Sequence, residues 1–369
     1  MKLLTRPAGS ARFPIWPFIA TLWGMILFPG MLHAACTVET GGINATAMFT
    51  LHLASTCTEA EREARAVPAG DLLRALAAGK GLDLAGVVVD GDLVLDELPT
   101  QKVSAVGDLA PEDRRVLEGL SDEEVHVIRG PFVIKHSRVK GRIVNRLKRG
   151  FLLITGPVVL AHTEFVGLVD LSRTVFLGLV DGSNATFRQE SYFVQERFTQ
   201  GAMFSDTRFG PHARFHRSMF SGPAIFRGAR FQGLTEFLEV VFEQDANFSQ
   251  TVFRQGTGFS GAHCRAKCDF SSSQFDREAF FLFSIFDRQA TFASARFGSQ
   301  ADFSDAVFKQ SDDLDQASFA RPPLLTRTAR VSVTVPGHAG PSSGPFPQAV
   351  TIALLAVALG LLVYVFRAK

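Results

Sequence analysis

The sequence predicts an all-β solenoid, short strands wound into stacked coils, with a short helical cap at its N-terminal end and a membrane-spanning helix at its C-terminal end. Three observations predict it. From residue 187 to residue 319, phenylalanine recurs in alternating steps of six and five. A small residue stands two places before nearly every one of these positions. The chain also ends in an uncharged apolar run, Ala349 to Phe366, followed at once by Arg367 and Lys369.

Composition narrows the class. Of 369 residues, 46% are hydrophobic and 20% charged, which argues against intrinsic disorder. The net charge of +2 fits neither a strongly basic nucleic-acid binder nor an acidic mimic. There are 35 Phe but only 2 Tyr and 2 Trp, so the aromatic content answers a demand for phenylalanine itself.

The series runs Phe187, Phe193, Phe198, Phe204, Phe209, Phe215 and onward to Phe319, with Cys264 and Leu314 as the two departures among 25 positions. Ala, Ser or Thr stands two places before 21 of the 25; Glu196, Val240, Cys268 and Asp312 are the exceptions. A period of 11 would also suit a right-handed helical supercoil. The density of Gly, Ser, Thr and Phe, with Pro211 and Pro223 inside the repeat, rules that out. In a strand, residues two apart share a face, so each Phe and its small partner point inward together. Segments such as Phe220-Ser-Gly-Pro and Phe297-Gly-Ser supply the turns between strands.

This pattern resembles the pentapeptide repeat family, in its Phe-rich variety with an extra residue in alternate repeats. The resemblance implies a right-handed quadrilateral β-helix with four repeats, hence 22 residues, per coil. Phe187, Phe209, Phe231, Phe253, Phe275, Phe297 and Phe319 would then stack on one face, ~4.8 Å apart. Upstream the 11-residue step lands on Phe132, Ile143, Ile154, Phe165 and Phe176, while intermediate positions fall on Arg138, Arg149 and Gly182. Early coils of irregular shape are expected there. The repeat is placed at 132–320, as a rod about 40 Å long.

At the N-terminus, residues 1–35 read as a signal peptide or N-terminal anchor: Lys2, Arg6 and Arg12, then an apolar stretch, then Ala34 and Ala35 before Cys36. Residues 36–85 are assigned to a cap, with a helix from Asp71 to Ala78, Asp71 as its N-cap and Gly79 past its end. Cys36 and Cys57 are expected to form a disulfide in an oxidising compartment; two thiols, or lipidation of Cys36, are the alternatives. Residues 86–131 read as first strands with a helical insertion around Pro111. Residues 321–347 are a Pro/Gly/Ser-rich linker, 348–366 the membrane span and 367–369 a basic cytoplasmic tail. Together these features place the repeat outside the cytoplasm of a bacterial inner membrane.

No catalytic set, metal site, cofactor site or nucleic-acid site is expected. Cys264 and Cys268 lack the partners of a zinc tetrad. One replaces a Phe and the other an Ala at neighbouring inward positions, which reads as packing compensation. His212 and His216 should point to solvent. The run Lys135, Arg138, Lys140, Arg142, Arg146, Lys148, Arg149 contains no acid. It is either a solvated face or a patch for an anionic partner, a lipid headgroup or envelope polymer, centred on Lys135, Lys140, Arg142, Arg146 and Lys148.

The expected function is a non-catalytic, membrane-anchored interaction or structural module of the envelope, with membrane lipid and an unidentified protein or polymer as partners and no small-molecule substrate. The resemblance raises an alternative, a DNA mimic that shields topoisomerases. That needs an acidic rod, whereas 131–320 carries 22 basic and 19 acidic residues.

Overall fold

A computed structural model describes residues 36–40, 47–107 and 109–330. The predicted export segment 1–35, the span 348–366, the tail 367–369 and the linker beyond residue 330 lie outside the described residues. Among the described residues no helix is long and apolar enough to cross a membrane.

The chain winds a right-handed β-helix whose coils have four sides. Face 1 includes Gly81–Ala85, Phe132–Lys135, Val158–Val159 and Ala202–Met203; face 2 includes Val88–Asp90, Arg138–Val139 and Glu164–Phe165. Face 3 runs from Leu93–Val94 to Ala301–Asp302, and face 4 from Thr100–Lys102 to Ala329–Arg330. Faces 1, 2 and 4 have 11 strands each and face 3 has 9. Pairing is parallel except where 38–40 meets 51–53 and 100–102 meets 124–126. Ten spacings of ~4.8 Å give a rod of about 50 Å. Pairing continues through Ala329–Arg330, beyond the Phe series.

The interior is a ladder of rings. On face 2, Phe165, Phe187, Phe209, Phe231, Phe253, Phe275, Phe297 and Phe319 stack continuously, with neighbouring centroids 4.6–5.2 Å apart. Rings on adjacent faces meet edge to face, as Phe231 does Phe237 at 84° and 6.0 Å. Both arrangements suit the aromatic quadrupole. Small residues two places earlier leave the space that the rings occupy. Several of their hydroxyls donate to the carbonyl 25 residues back: Thr207 to Gly182 at 2.7 Å, Ser218 to Phe193 at 2.7 Å and Thr251 to Phe226 at 2.8 Å.

The alternation of five and six has a backbone cause. Fourteen non-glycine residues have φ between 51° and 60°, among them Asp206, Arg217, Glu239 and Gln250. Each lies two places after an inward residue of face 1 or face 3. Gly228 and Gly261 fill the same position. Each of these residues sits inside a five-residue step, such as Asp206 between Phe204 and Phe209, so the short step makes its corner through a left-handed residue, at about 1 kcal/mol for each side chain with a Cβ.

The early coils keep four paired sides but carry insertions, as expected of irregular coils, and the expected register there is corrected. Val139 pairs with Phe165, Ile154 with Ile128, and Ile143 with Val169. The inward series is therefore Ile128, Ile134, Val139, Asn145, Ile154, Leu160, Phe165, Leu171, Phe176, Gly182. Ile154, Phe165 and Phe176 are on it, as expected. Phe132 and Ile143 instead occupy the small-residue columns, and neither Arg138 nor Arg149 is inward. Four residues inserted after Asn145 shift the phase, so one coil spans 26 residues between Val139 and Phe165. Gly182 makes room for a neighbour: a Cβ there would meet the Phe204 ring at 2.7 Å.

The cap closes the first coil. Helix α1 (Glu59–Glu63) opens with a capping box between Thr58 and Glu61. Helix α2 (Ala69–Ala77) buries Leu72, Ala75 and Leu76. Its N-cap is Pro68, without a side-chain cap, so the expected Asp71 cap is corrected; Asp71 lies inside the first turn and pairs with Arg74. Its end follows expectation: Gly79 at φ 78° carries a Schellman turn, Lys80 N donating to Ala75 O and Gly79 N to Leu76 O. Helix α3 (Pro111–Val116) belongs to the insertion between faces 3 and 4. It covers the outer side of face 4 over a second core of Val103, Leu117, Val125, Phe151, Leu153 and Val175. That is why Phe151 to Ile154 are buried on both sides.

Phe253 is fully buried between Phe231 at 5.0 Å and Phe275 at 4.8 Å. Phe253→Ala should destabilise the solenoid by ~3–5 kcal/mol, and the exposed Gln255→Ala by less than ~0.5 kcal/mol. Equal shifts in denaturant midpoint would show that the 22-residue register is wrong.

Candidate functional site: the cap–solenoid cleft and its basic face

The rings and small residues fill the coil interior, so recognition chemistry has to sit on the surface. A cleft of about 420 Å³ lies where the cap meets faces 1 and 2, lined by residues including Glu59, Arg62, His136, Arg138, His162 and Arg188. Arg62 is a structural anchor: it donates to Cys57 O at 3.1 Å, to Ala54 O at 2.7 Å and to Gly86 O. His136 and His162 occupy left-handed corners of consecutive coils and stack at 4.7 Å. Burial, then the fields of His162 and Lys135, hold His136 below the ordinary histidine range.

The basic run is divided by its partners. Arg138 binds Glu59 of α1 at 2.7 Å and Glu164 of the next coil at 3.4 Å, and Arg188 binds the same Glu164 at 2.6 Å. Lys140 pairs with Glu63. Arg142 grips Asp92 through Nη2 at 2.6 Å and Nε at 3.0 Å, and this contact holds the Asp92 carboxyl below its usual range. These acids come from the cap, the first coil and the following coil. Lys135, Arg146, Lys148 and Arg149 form no ion pair among the described residues. Arg146, Lys148 and Arg149 are exposed on the insertion after Asn145. That insertion leaves the rod at the corner between faces 3 and 4, where the α3 insertion emerges one coil earlier.

Cys36 and Cys57 are joined by a disulfide that ties the first described strand to the cap. Cys264 and Cys268 form a second, buried in the core between faces 4 and 1. It fills the gap in the face 4 ring column between Phe242 and Phe286. His212 lies outward on face 3 and contacts Glu236 at 3.2 Å, beside Arg214. His216 is half-buried, and burial lowers its pKa. No group of three or more metal-ligating side chains occurs among the described residues.

One titratable group escapes this surface pattern. Glu196 stands in the small-residue column of face 4, between Thr174 and Ser218. It is 1% exposed, and neither carboxyl oxygen has a hydrogen-bond partner. Asp312, in the corresponding column of face 1, is matched by Arg330 at 2.8 Å. Glu196 has no such cation. Burial, then the field of Asp170, pushes its pKa well above the ordinary range.

Comparison with known families gives a match to "Pentapeptide repeats (9 copies)" over residues 171–219 and 215–263. Comparison with curated proteins and with solved structures gives no match.

The sign of the Glu196 effect follows from linkage. As pH rises through ~4.3 the unfolded chain releases this proton while the folded chain retains it, so stability falls with rising pH until the raised folded pKa is passed. Glu196→Thr should remove that slope and stabilise the protein at pH 7 by ~1–3 kcal/mol. Denaturant unfolding from pH 4 to 8 measures it; a variant with the parent's slope and midpoint would contradict the assignment.

Proposed function

We propose that this chain, whose residues 171–263 match pentapeptide repeats, is a non-catalytic interaction or structural module, anchored by its C-terminal segment and presented outside the cytoplasm of a bacterial inner membrane. The observation that carries the reading is the filled interior. Buried rings from Phe165 to Phe308 and their small partners occupy the core, so binding is left to the outer surface. The export-like N-terminus, the apolar run 349–366 and the cations after it support the anchored, outward orientation. The disulfide between Cys36 and Cys57 suits an oxidising compartment.

The partner is anionic, an envelope polymer or an acidic protein surface. Lys135, Lys140, Arg142, Arg146 and Lys148 were the sequence candidates, and the ion-pair geometry favours a narrower set. Lys140 and Arg142 hold the cap and first coil in place. Arg146, Lys148 and Arg149 project from one insertion and are free to meet a ligand.

An alkaline phosphatase fusion at residue 330 tests the orientation. It should be active in cells; a stable but inactive fusion would contradict outward placement. The triple variant Arg146→Gln, Lys148→Gln, Arg149→Gln tests the patch. It should lose co-purifying anionic material as the parent does in raised salt, because exposed charges are screened within ~10 Å at 0.1 M. Its melting temperature should match the parent's. Undiminished capture would remove the patch from the mechanism.

A further inference from the structure

Face 3 changes character along the rod. Its outward row reads Asp170, Tyr192, Arg214, Glu236 in the earlier coils and Gly258, Phe280, Asp302, Leu324 in the later ones. Six large apolar residues are exposed among the described residues, and five of them, Leu234, Phe280, Phe283, Leu324 and Leu325, lie on face 3 or the corner that closes it. Between Leu234 and Phe280 the surface is low, with Gly256, Gly258 and Leu238 on it, while Asp302 separates Phe280 from Leu324. A Cβ on Gly258 would meet Leu238 Cδ2 at 2.8 Å, so Leu238 lies across that strand, and a Cβ on Gly256 would reach Leu234 Cδ1 at 3.5 Å.

Phe283 is the most exposed of the group at 61%, and it sits at φ 57°. The other left-handed corners hold Asn, Asp, Ser, Gln, Glu, Arg, His or Gly, which tolerate water. A phenylalanine there gains nothing from the core and carries the backbone cost of its position. Its ring is presented outward beside Phe280.

The occupant follows from where the rod ends. The last described strand, Ala329–Arg330, is on face 4, adjacent to face 3. Eighteen residues, 331–348, separate it from the apolar run that begins at Ala349. A Pro/Gly/Ser-rich linker of that length has a typical reach of about 25 Å. An anchored chain therefore keeps these coils close to the bilayer surface, where Phe and Leu are the side chains that partition into the interface. We propose that the C-terminal half of face 3 rests on the bilayer in which the chain is anchored, seating Phe280, Phe283 and Leu234 at the headgroup boundary. This rests on the anchored reading above, and it adds an orientation: face 3 against lipid, with face 1 turned away to the envelope.

The test uses the full chain with Trp16→Phe and Trp23→Phe, reconstituted into vesicles of phosphatidylcholine and phosphatidylglycerol containing brominated phosphatidylcholine. Flotation with the vesicles reports the anchor. Quenching of a single introduced tryptophan reports the docking. Phe283→Trp should be quenched about twofold and blue-shifted, as a ring at the acyl boundary is. Gln289→Trp, exposed on face 1 of the same coils, should show neither change. Failure to float would overturn the anchor. Flotation with the Phe283→Trp variant no more quenched than the Gln289→Trp variant would overturn the docking alone. A blue-shifted but unquenched Phe283→Trp variant, with cross-linked dimers, would assign the face to a second copy of the chain and overturn the lipid assignment.

Discussion

Everything in this structure depends on one ring lying over the next at the spacing of parallel strands. The strand repeat is ~4.8 Å, and the face 2 centroids are 4.6–5.2 Å apart. The hydrogen-bond ladder and the aromatic stack therefore want the same distance. A coil of 22 residues satisfies both together, because it returns a Phe to the same face at each turn. Aliphatic residues fill the same positions in the early coils, where Val139, Leu160 and Leu171 are buried on the inward series. Phe fills the cross-section more completely because rings on adjacent faces can also meet edge to face, as Phe253 meets Phe259 at 87°.

The ladder imposes its own demands. Four sides must close, and two of the corners need a left-handed residue. Fourteen of these carry a Cβ and its backbone cost. The stack holds those corners in place from within, so their side chains need not be glycine and remain available for surface chemistry. Ion pairs then run along the corners from coil to coil, such as Arg217 with Glu239 and Arg327 with Asp305. Being exposed, they contribute little stability and set surface charge instead.

The fold was legible from residue 187 onward because every coil there repeats the same residue types at the same places. It became illegible upstream for a specific reason. Phe132 and Ile143 are large residues in small-residue columns, and they fall by coincidence on the 11-residue step. The four residues after Asn145 then shift the phase, and only strand pairing reveals it. The basic run was legible as composition but not as a site. Its acids, Glu59, Glu63, Asp92 and Glu164, lie outside the run and meet it only when the coils stack. What remains free is the insertion with Arg146, Lys148 and Arg149, the same four-residue segment that broke the register. Glu196 was visible as an exception to the small-residue rule, but its lack of any partner was not.

A solid core separates the two halves of the sequence. Inward positions are held mostly to Phe, Leu, Ile, Val and small residues by the stack, whereas outward positions, away from the second core that α3 covers on face 4, carry no packing duty in the coil interior. Departures among outward residues are therefore more informative than departures among inward ones. Cys264 with Cys268 is an inward departure, and core filling accounts for it. Phe280 and Phe283 are off the five-and-six register, face outward, and no packing need accounts for them. They share one face with Leu234 and Leu238, toward the end of the rod from which the apolar run departs. In a molecule whose interior is spent on stability, the irregular outward residues are where function is to be sought. The cationic insertion near one end and the apolar face near the other are two such places.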